Sequence, residues 1–335
     1  MKLLRKILIP IVPVYYLITW LRNLLYDFGV KTSVLFPIPV ICVGNLSTGG
    51  TGKTPMIEYL IQLLKDDYKI ATLSRGYKRK TKGFLLANEH VTSEDIGDEP
   101  YQFYSKFGSE TQVAVDSNRV NGITQLLQNT NTPEVVLLDD AFQHRKVKAG
   151  FNILLTTYQK PYFKDIVLPT GDLREPKNGA KRANIIVVTK CPSGITKKEK
   201  SLFLKQINAK HEQHVFFSSI SYSEEIVSIA SKMNLTDLED FSLVTGIANA
   251  TPLVKYLKSK NLSFEHLNFK DHHEFSKEDI SKFESKKIIL TTEKDFMRLR
   301  QYKSLEDKLY YLPIKVKVEE NNKFDSLVKA FVAKY

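Results

Sequence analysis

The chain begins with an almost wholly apolar run over residues 7–20, preceded by Lys2, Arg5 and Lys6 and followed by Arg22 and Asn23. As a straight helix this run would rise about 21 Å, short of the roughly 30 Å hydrocarbon core of a bilayer. Pro10 and Pro13 disturb a regular helix within it. Leu17, Leu21, Leu24 and Phe28 fall at helical spacing on one face, with Arg22, Asn23 and Asp27 elsewhere. The pattern predicts a membrane-associated helix over residues 1–28, embedded in the interface, with a full span left open only if the membrane tolerates Arg22 near its edge. No small-residue cleavage site follows, which argues against a secretory signal peptide. A core helix of a soluble domain is the plainer alternative.

After Pro37 the pattern changes to short β-branched runs separated by longer segments of helical periodicity. Strands are predicted at 39–43, 69–73, 111–115, 134–138, 151–156 and 183–189, with helices at 53–64 and 118–127. Near-continuous apolar strands separated by helices predict a parallel sheet with helices on both faces. The later chain repeats the style. Strands are expected at 242–246, 264–268, 288–291 and 310–318, with helices at 251–258, 277–285, from 294, and 323–333. The fold class is therefore α/β. A larger unit spans 29–225, and a smaller C-terminal α/β unit spans 226–335 and completes a cleft. No internal repeat or low-complexity segment is present.

Charge and cysteine usage narrow the setting. Lys and Arg number 49 against 37 Asp and Glu, a formal charge of +12, which favours anionic partners such as an acidic membrane surface or a phosphorylated substrate. The basic residues are scattered, and no nucleic-acid-binding motif accompanies them, so no nucleic-acid partner is expected. Two cysteines, Cys42 and Cys191, form neither a disulfide framework nor a metal-ligand spacing and fit a reducing compartment.

The most specific segment is Val43-Gly44-Asn45-Leu46-Ser47-Thr48-Gly49-Gly50-Thr51-Gly52-Lys53-Thr54-Pro55, placed between a predicted strand and a predicted helix. Such a P-loop curls successive backbone N–H groups around phosphate oxygens at a helix N-terminus. Residues Ser47 to Thr54 are the expected nucleotide-binding set. Lys53 would reach the β- and γ-phosphates of ATP, and the Thr54 hydroxyl would ligate Mg²⁺. The strict pattern wants glycine where Ser47 stands. A second strand, Val135-Val136-Leu137-Leu138, ends in Asp139-Asp140 and would bring carboxylates beside the metal.

Taken in order, further motifs single out one family. Ser74-Arg75-Gly76-Tyr77, Gly97-Asp98-Glu99-Pro100 and Asp139-Asp140-Ala141-Phe142-Gln143-His144 follow the loop. Leu173-Arg174-Glu175-Pro176, Val188-Thr189-Lys190, Asp271-His272-His273 and Thr292-Glu293-Lys294-Asp295 come after them. Together they resemble the tetraacyldisaccharide 4'-kinases of lipid A biosynthesis over nearly the whole chain. Ala141 stands where that family commonly has Gly, and Asp172 where Pro is common.

The resemblance implies a kinase on the cytoplasmic face of the inner membrane that phosphorylates a lipid disaccharide 1-phosphate with ATP. No obligate protein partner is evident. It also implies Asp98 as the proton acceptor, assisted by His272. Each has a plainer reading: an acid at a helix start complements the dipole, and paired histidines can be a solvated loop. Glu175 is expected to complete the Mg²⁺ shell and Arg174 to neutralise the transferred phosphoryl group. Arg75 and His144 are weaker candidates for substrate or phosphate contact, and Gln143 for orienting a hydroxyl or water. The alternative is a membrane-targeted P-loop GTPase or ATPase with a regulatory or assembly role. Val188-Thr189-Lys190-Cys191-Pro192 begins like a guanine-reading box, but Pro192 stands where that box needs Asp.

Overall fold

The computed structural model describes residues 5–271 and 273–335. After a short 3₁₀ turn, Val12–Asp27 form helix α1. The chain then builds β1 (Val40–Asn45), α2 (Lys53–Leu64), β2 (Ile70–Ser74), β3 (Leu85–Leu86), α3 (Ser93–Ile96), α4 (Asp98–Phe107) and β4 (Thr111–Val115). Next come α5 (Arg119–Gln128), β5 (Val135–Asp139), β6 (Phe151–Thr157), β7 (Ile185–Thr189), α6 (Lys197–Ile207) and β8 (His214–Tyr222).

A second group follows: β9 (Glu225–Val227), β10 (Lys232–Asn234), β11 (Phe241–Thr245), α7 (Thr251–Ser259), β12 (Phe264–Asn268), α8 (Lys277–Glu284), β13 (Ile289–Thr291), α9 (Glu293–Leu299) and β14 (Leu309–Tyr311). The chain ends with β15 (Ile314–Val318) and α10 (Asn321–Val332).

Nine strands form one sheet in the order β15-β8-β7-β6-β1-β5-β2-β4-β3. The pairs from β4 through β8 are parallel, and the edges β3 and β15 run antiparallel. Every residue of β1 is buried, and its side chains alternate between the two faces. Val40 and Cys42 join one apolar layer with Ile123, Leu126, Phe203 and Ile207. Ile41 and Val43 join the other with Ile57, Leu60, Phe103, Phe324 and Val328. Helices therefore cover both faces, which is why the central strands read as continuous apolar runs.

The smaller sheet has the order β10-β9-β14-β13-β11-β12. Its boundary departs from the expected unit of 226–335, because β15 pairs with β8 of the larger sheet and α10 packs on that sheet's core. The single strand predicted over 310–318 is two strands in different sheets. Pro313 lies between them; proline donates no ladder hydrogen bond and is a natural point for the chain to change sheets.

Helix α1 buries none of its residues. Its polar residues nonetheless face the protein. Arg22 Nη2 donates to the Gln143 carbonyl at 2.6 Å, Asn23 Nδ2 to Glu175 Oε2 at 2.6 Å, and Arg145 Nη2 to Asp27 Oδ1 at 2.7 Å. Tyr15 donates to the Arg174 carbonyl at 3.0 Å. Ile11, Val14, Leu17, Ile18 and Leu21 stay exposed. No helix among the described residues is long and apolar enough to cross a membrane.

Candidate active site

The strand order reverses at β1, which lies between β5 and β6, and the carboxyl end of β1 opens into the glycine-rich loop. This is the kind of crevice where open α/β sheets bind ligands. Gly49 and Gly52 hold positive φ values of 104° and 90°, whereas Ser47 does not appear among the positive-φ residues. The missing glycine of the strict pattern is thus not required by the backbone here. Ser47 instead bridges to Leu173.

The loop is braced from several sides. Asn45 Nδ2 donates to Thr51 Oγ1 at 2.6 Å, and Thr189 Oγ1 to the Thr51 carbonyl at 2.8 Å. Lys190 Nζ donates to the Gly50 carbonyl at 2.7 Å, so the lysine of the partial guanine-type box serves the loop itself. Gly44 cannot take a side chain, because a Cβ there would lie 2.6 Å from that of Phe142.

Lys53 begins α2, and its Nζ lies 3.8 Å from Asp140 Oδ1. Arg174 grips the same carboxylate in a fork, Nη2 to Oδ1 at 2.7 Å and Nη1 to Oδ2 at 3.1 Å, and also donates to the Asn45 side chain. Burial would raise the Asp140 carboxyl, but Lys53, Arg174 and Arg119 outweigh it and hold it below the usual carboxylate range. Asp140 was expected to ligate metal. In this structure each of its oxygens accepts one bond from Arg174, so Asp140 also ties Arg174 and Lys53 together.

Asp139 is different. It is buried, its Oδ2 accepts from Ser74 at a long 3.3 Å, and its Oδ1 has no partner among the described residues. Burial, then Glu99 and Asp140, push it up to about 7 against the pull of Lys53 and Arg119. A buried carboxylate oxygen without a donor suits a hard cation. No cluster of three metal-binding acidic, histidine or cysteine side chains occurs among the described residues, so the remaining ligands would be hydroxyl, phosphate and water oxygens.

Glu175 does not fit the metal role expected for it. Its carboxylate takes a fork from Arg182 at 2.8 and 3.0 Å and further bonds from Gln143 at 2.9 Å and Asn23 at 2.6 Å. Four donors on a buried carboxylate leave it as a structural tie between α1 and the crevice. Gln143 is engaged through its amide nitrogen, which donates to the Asn45 carbonyl and to Glu175, both at 2.9 Å, while its buried Oε1 has no partner among the described residues.

Asp98 is the first residue of α4, and Gly97 precedes it with φ 92°. Its neighbour Glu99 acts electrostatically on Asp139, which places this helix start beside the crevice. Asp98 Oδ2 accepts from Arg298 Nη2 at 2.6 Å and Nε at 2.8 Å. His272 lies outside the described residues. His273 stacks on Phe269 at 4.6 Å and bonds Asp279 Oδ2 at 2.9 Å, a packing role that removes it from consideration.

Beside this crevice a cavity of about 400 Å³ is lined by Arg22, Tyr26, Lys31, Ser117, Asn118, Arg119, His144, Arg145 and Lys146. Arg119 is fully buried; burial pushes it down to about 10, while Asp139 and Asp140 favour its charge, so it remains cationic at neutral pH. Burial, then Arg119, Arg75 and Arg22, push His144 down to about 4, so its imidazole is neutral there. Arg75 is exposed and acts on both residues. Neither Arg119 nor Arg298 was anticipated. Asp116-Ser117-Asn118-Arg119 is a strand-to-helix junction like the one that flagged Lys53, and that recurrence could have exposed Arg119.

A family model described as tetraacyldisaccharide-1-P 4'-kinase matches residues 4–333. A tetraacyldisaccharide 4'-kinase of Flavobacterium johnsoniae is 52% identical over 320 residues, covering 94% of this chain and 93% of the relative. One of Bacteroides thetaiotaomicron is 44% identical and covers 98% and 93%. The crystal structure of "apo" form LpxK from Aquifex aeolicus in complex with ATP matches with a TM-score of 0.79 at 32% identity, covering 98% of this chain and 99% of that one.

Proposed function

The chain belongs to the tetraacyldisaccharide-1-P 4'-kinase family, and from that premise we propose that it moves the γ-phosphate of ATP onto the 4'-hydroxyl of a tetraacylated glucosamine disaccharide 1-phosphate, forming lipid IVA. The observation that carries this reading is the convergence of Lys53, Asp139, Asp140 and Arg174 at one sheet end, with the start of α4 beside them.

The amides between Ser47 and Thr54 cradle the nucleotide's terminal phosphates, helped by the N-terminal dipole of α2. Lys53 and Arg174, held together by Asp140, neutralise the oxygens of the transferred group. Asp139 and the Thr54 hydroxyl would hold Mg²⁺, whose charge would offset the negative charge developing on the transferred group. The acceptor oxygen forms its bond to phosphorus as the bond to the β–γ bridging oxygen breaks. Its proton passes to Asp98, with His272 as the proposed partner, and ADP leaves.

The cationic cavity supplies the second recognition point, for the 1-phosphate the substrate already carries. Arg119 is fixed there by a bond from Nη1 to the Asp116 carbonyl at 2.6 Å. The acyl chains stay in the cytoplasmic leaflet of the inner membrane, since each exposed CH₂ costs about 0.8 kcal/mol. The outward apolar face of α1 seats the crevice against that leaflet, and its inward polar face ties it to Gln143, Arg174 and Glu175. The test is transfer of labelled γ-phosphate to purified disaccharide 1-phosphate in detergent with Mg²⁺. Absence of product with the folded chain would reject the kinase reading.

A further inference from the structure

Asp98 belongs to the larger unit, yet its observed ion-pair partner comes from the smaller one. Arg298 lies on α9 and places two nitrogens, Nε at 2.8 Å and Nη2 at 2.6 Å, on the single oxygen Oδ2 of Asp98. Arg298 is itself held. Its Nη1 lies 3.4 Å from Oδ1 of Asp295, a fully buried carboxylate that accepts from the Gly246 amide at 2.9 Å and the Thr292 hydroxyl at 2.7 Å. The guanidinium is thus anchored to the loop after β11 and to the start of α9 before it reaches the other unit.

The same helix grips α4 at its far end. Glu293 lies 2.8 Å from Lys106 Nζ, and Lys106 reaches Glu58 on α2 at 2.6 Å. Just past the end of α9, Arg300 donates to Ser105 Oγ, next to Lys106, at 3.0 Å. Helix α9 and the residue after it therefore fix α4 at both ends, and through Lys106 and Glu58 they connect to the helix that begins with Lys53.

We propose that Arg298 is a positioning residue for phosphoryl transfer: it aims the Asp98 carboxylate, so the proton acceptor is set only when α9 is seated on α4. The inference rests on the reading of Asp98 as proton acceptor. An acid in the first turn of a helix ordinarily turns toward that helix's own free amides. Two donors on Oδ2, fixed from another unit, override that choice and set the direction of the second oxygen. Because guanidinium is planar and rigid, the constraint is angular as well as electrostatic. An interdomain tie with no part in the reaction would lower stability and affect both substrates alike. A positioning contact lowers kcat and spares ATP binding.

The experiment is steady-state kinetics of the full chain in detergent, with ATP and the lipid disaccharide, on Arg298→Met, Arg298→Lys, Asp98→Asn and the Arg298→Met/Asp98→Asn double variant. Arg298→Met should lower kcat about 100-fold, the scale of a misaimed reacting group, with both KM values within about threefold. Arg298→Lys keeps the charge without the fork and should recover part of that loss, to about tenfold below the parent chain. Asp98→Asn should lose about 1,000-fold, and adding Arg298→Met to it should cost little more, because the two act as one unit.

Unchanged kcat in Arg298→Met overturns the proposal, as do losses that multiply in the double variant. Near-parental kcat in Asp98→Asn overturns the proton-acceptor reading and the proposal with it. If Arg298→Met does not accumulate as folded protein, Arg298→Lys decides: a kcat loss of about tenfold at constant ATP KM supports the proposal, and an unchanged kcat overturns it.

Discussion

Around Lys53 the frame of the site is made from neighbours in the chain: β1, a seven-residue turn and α2 follow one another, and Asp139, Asp140, Arg174, Thr189 and Lys190 join it from elsewhere. Around Asp98 and the cationic cavity almost nothing is local. Arg298 meets Asp98 across 200 positions, and the cavity wall combines α1, the start of α5 and the segment after β5. The nucleotide side is therefore a rigid, strand-anchored cradle. The acceptor side depends on how two units and a loosely covered helix come together. A binding pocket for a constant ligand such as ATP can be built once into a loop, whereas a large lipid must be met by surfaces that assemble around it.

Substitutions on the two sides should separate in their kinetics. The largest effect is expected for Lys53→Ala, which should reduce kcat/KM about 1,000-fold or more by removing charge aimed at the transferred phosphoryl group. The circular dichroism spectrum should stay unchanged, and a loss below tenfold would break the assignment of the cradle.

Next is Asp139→Asn, with an expected loss of about 100-fold in turnover. It also carries a sign in pH. The folded Asp139 is raised to about 7, above its unfolded value near 4, so its contribution to stability is full below pH 4 and lost as pH rises through 7. The asparagine removes that loss. Without Mg²⁺ its unfolding midpoint should exceed the parent's at pH 8 by about 2 °C or more, and the advantage should vanish near pH 4. A lower midpoint at pH 8 would contradict the burial argument.

On the acceptor side, Arg119→Lys should raise the KM for the lipid about tenfold while leaving the KM for ATP unchanged, because a point-like ammonium replaces the guanidinium held between the Asp116 and Asp139 carbonyls in the cavity wall. An equal rise in both would merge the two sides into one. The smallest effect belongs to α1. Changing exposed Leu17 and Leu21 together to Ser should weaken binding to anionic vesicles about tenfold or less and leave turnover in detergent intact. Unchanged vesicle binding would remove the membrane role from this face.

Much of the scaffold could be read from local pattern. The strand at Thr111–Val115, the helix at Lys53–Leu64 and the strand at Phe264–Asn268 fall where the periodicity predicts them. Helix α6 was not anticipated, because its apolar positions are few among lysines. The strand expected over 310–318 failed for a different reason. An apolar run signals that a segment is buried, and two short strands in two sheets have the same signature as one long strand. Glu175 misled in the same way, since an acid beside an arginine reads equally as a metal ligand or as an ion pair.

What periodicity and glycine placement settled was everything whose cause is local: the strand–turn–helix at Lys53, the acids at the end of β5, and a helix with an apolar face near the N-terminus. Folding in three dimensions settled which charged groups meet. Arg174 on Asp140 and Arg298 on Asp98 are joined by long side chains between segments that have no common repeat. Electrostatic energy depends on distance in space, and a linear pattern records only distance along the chain.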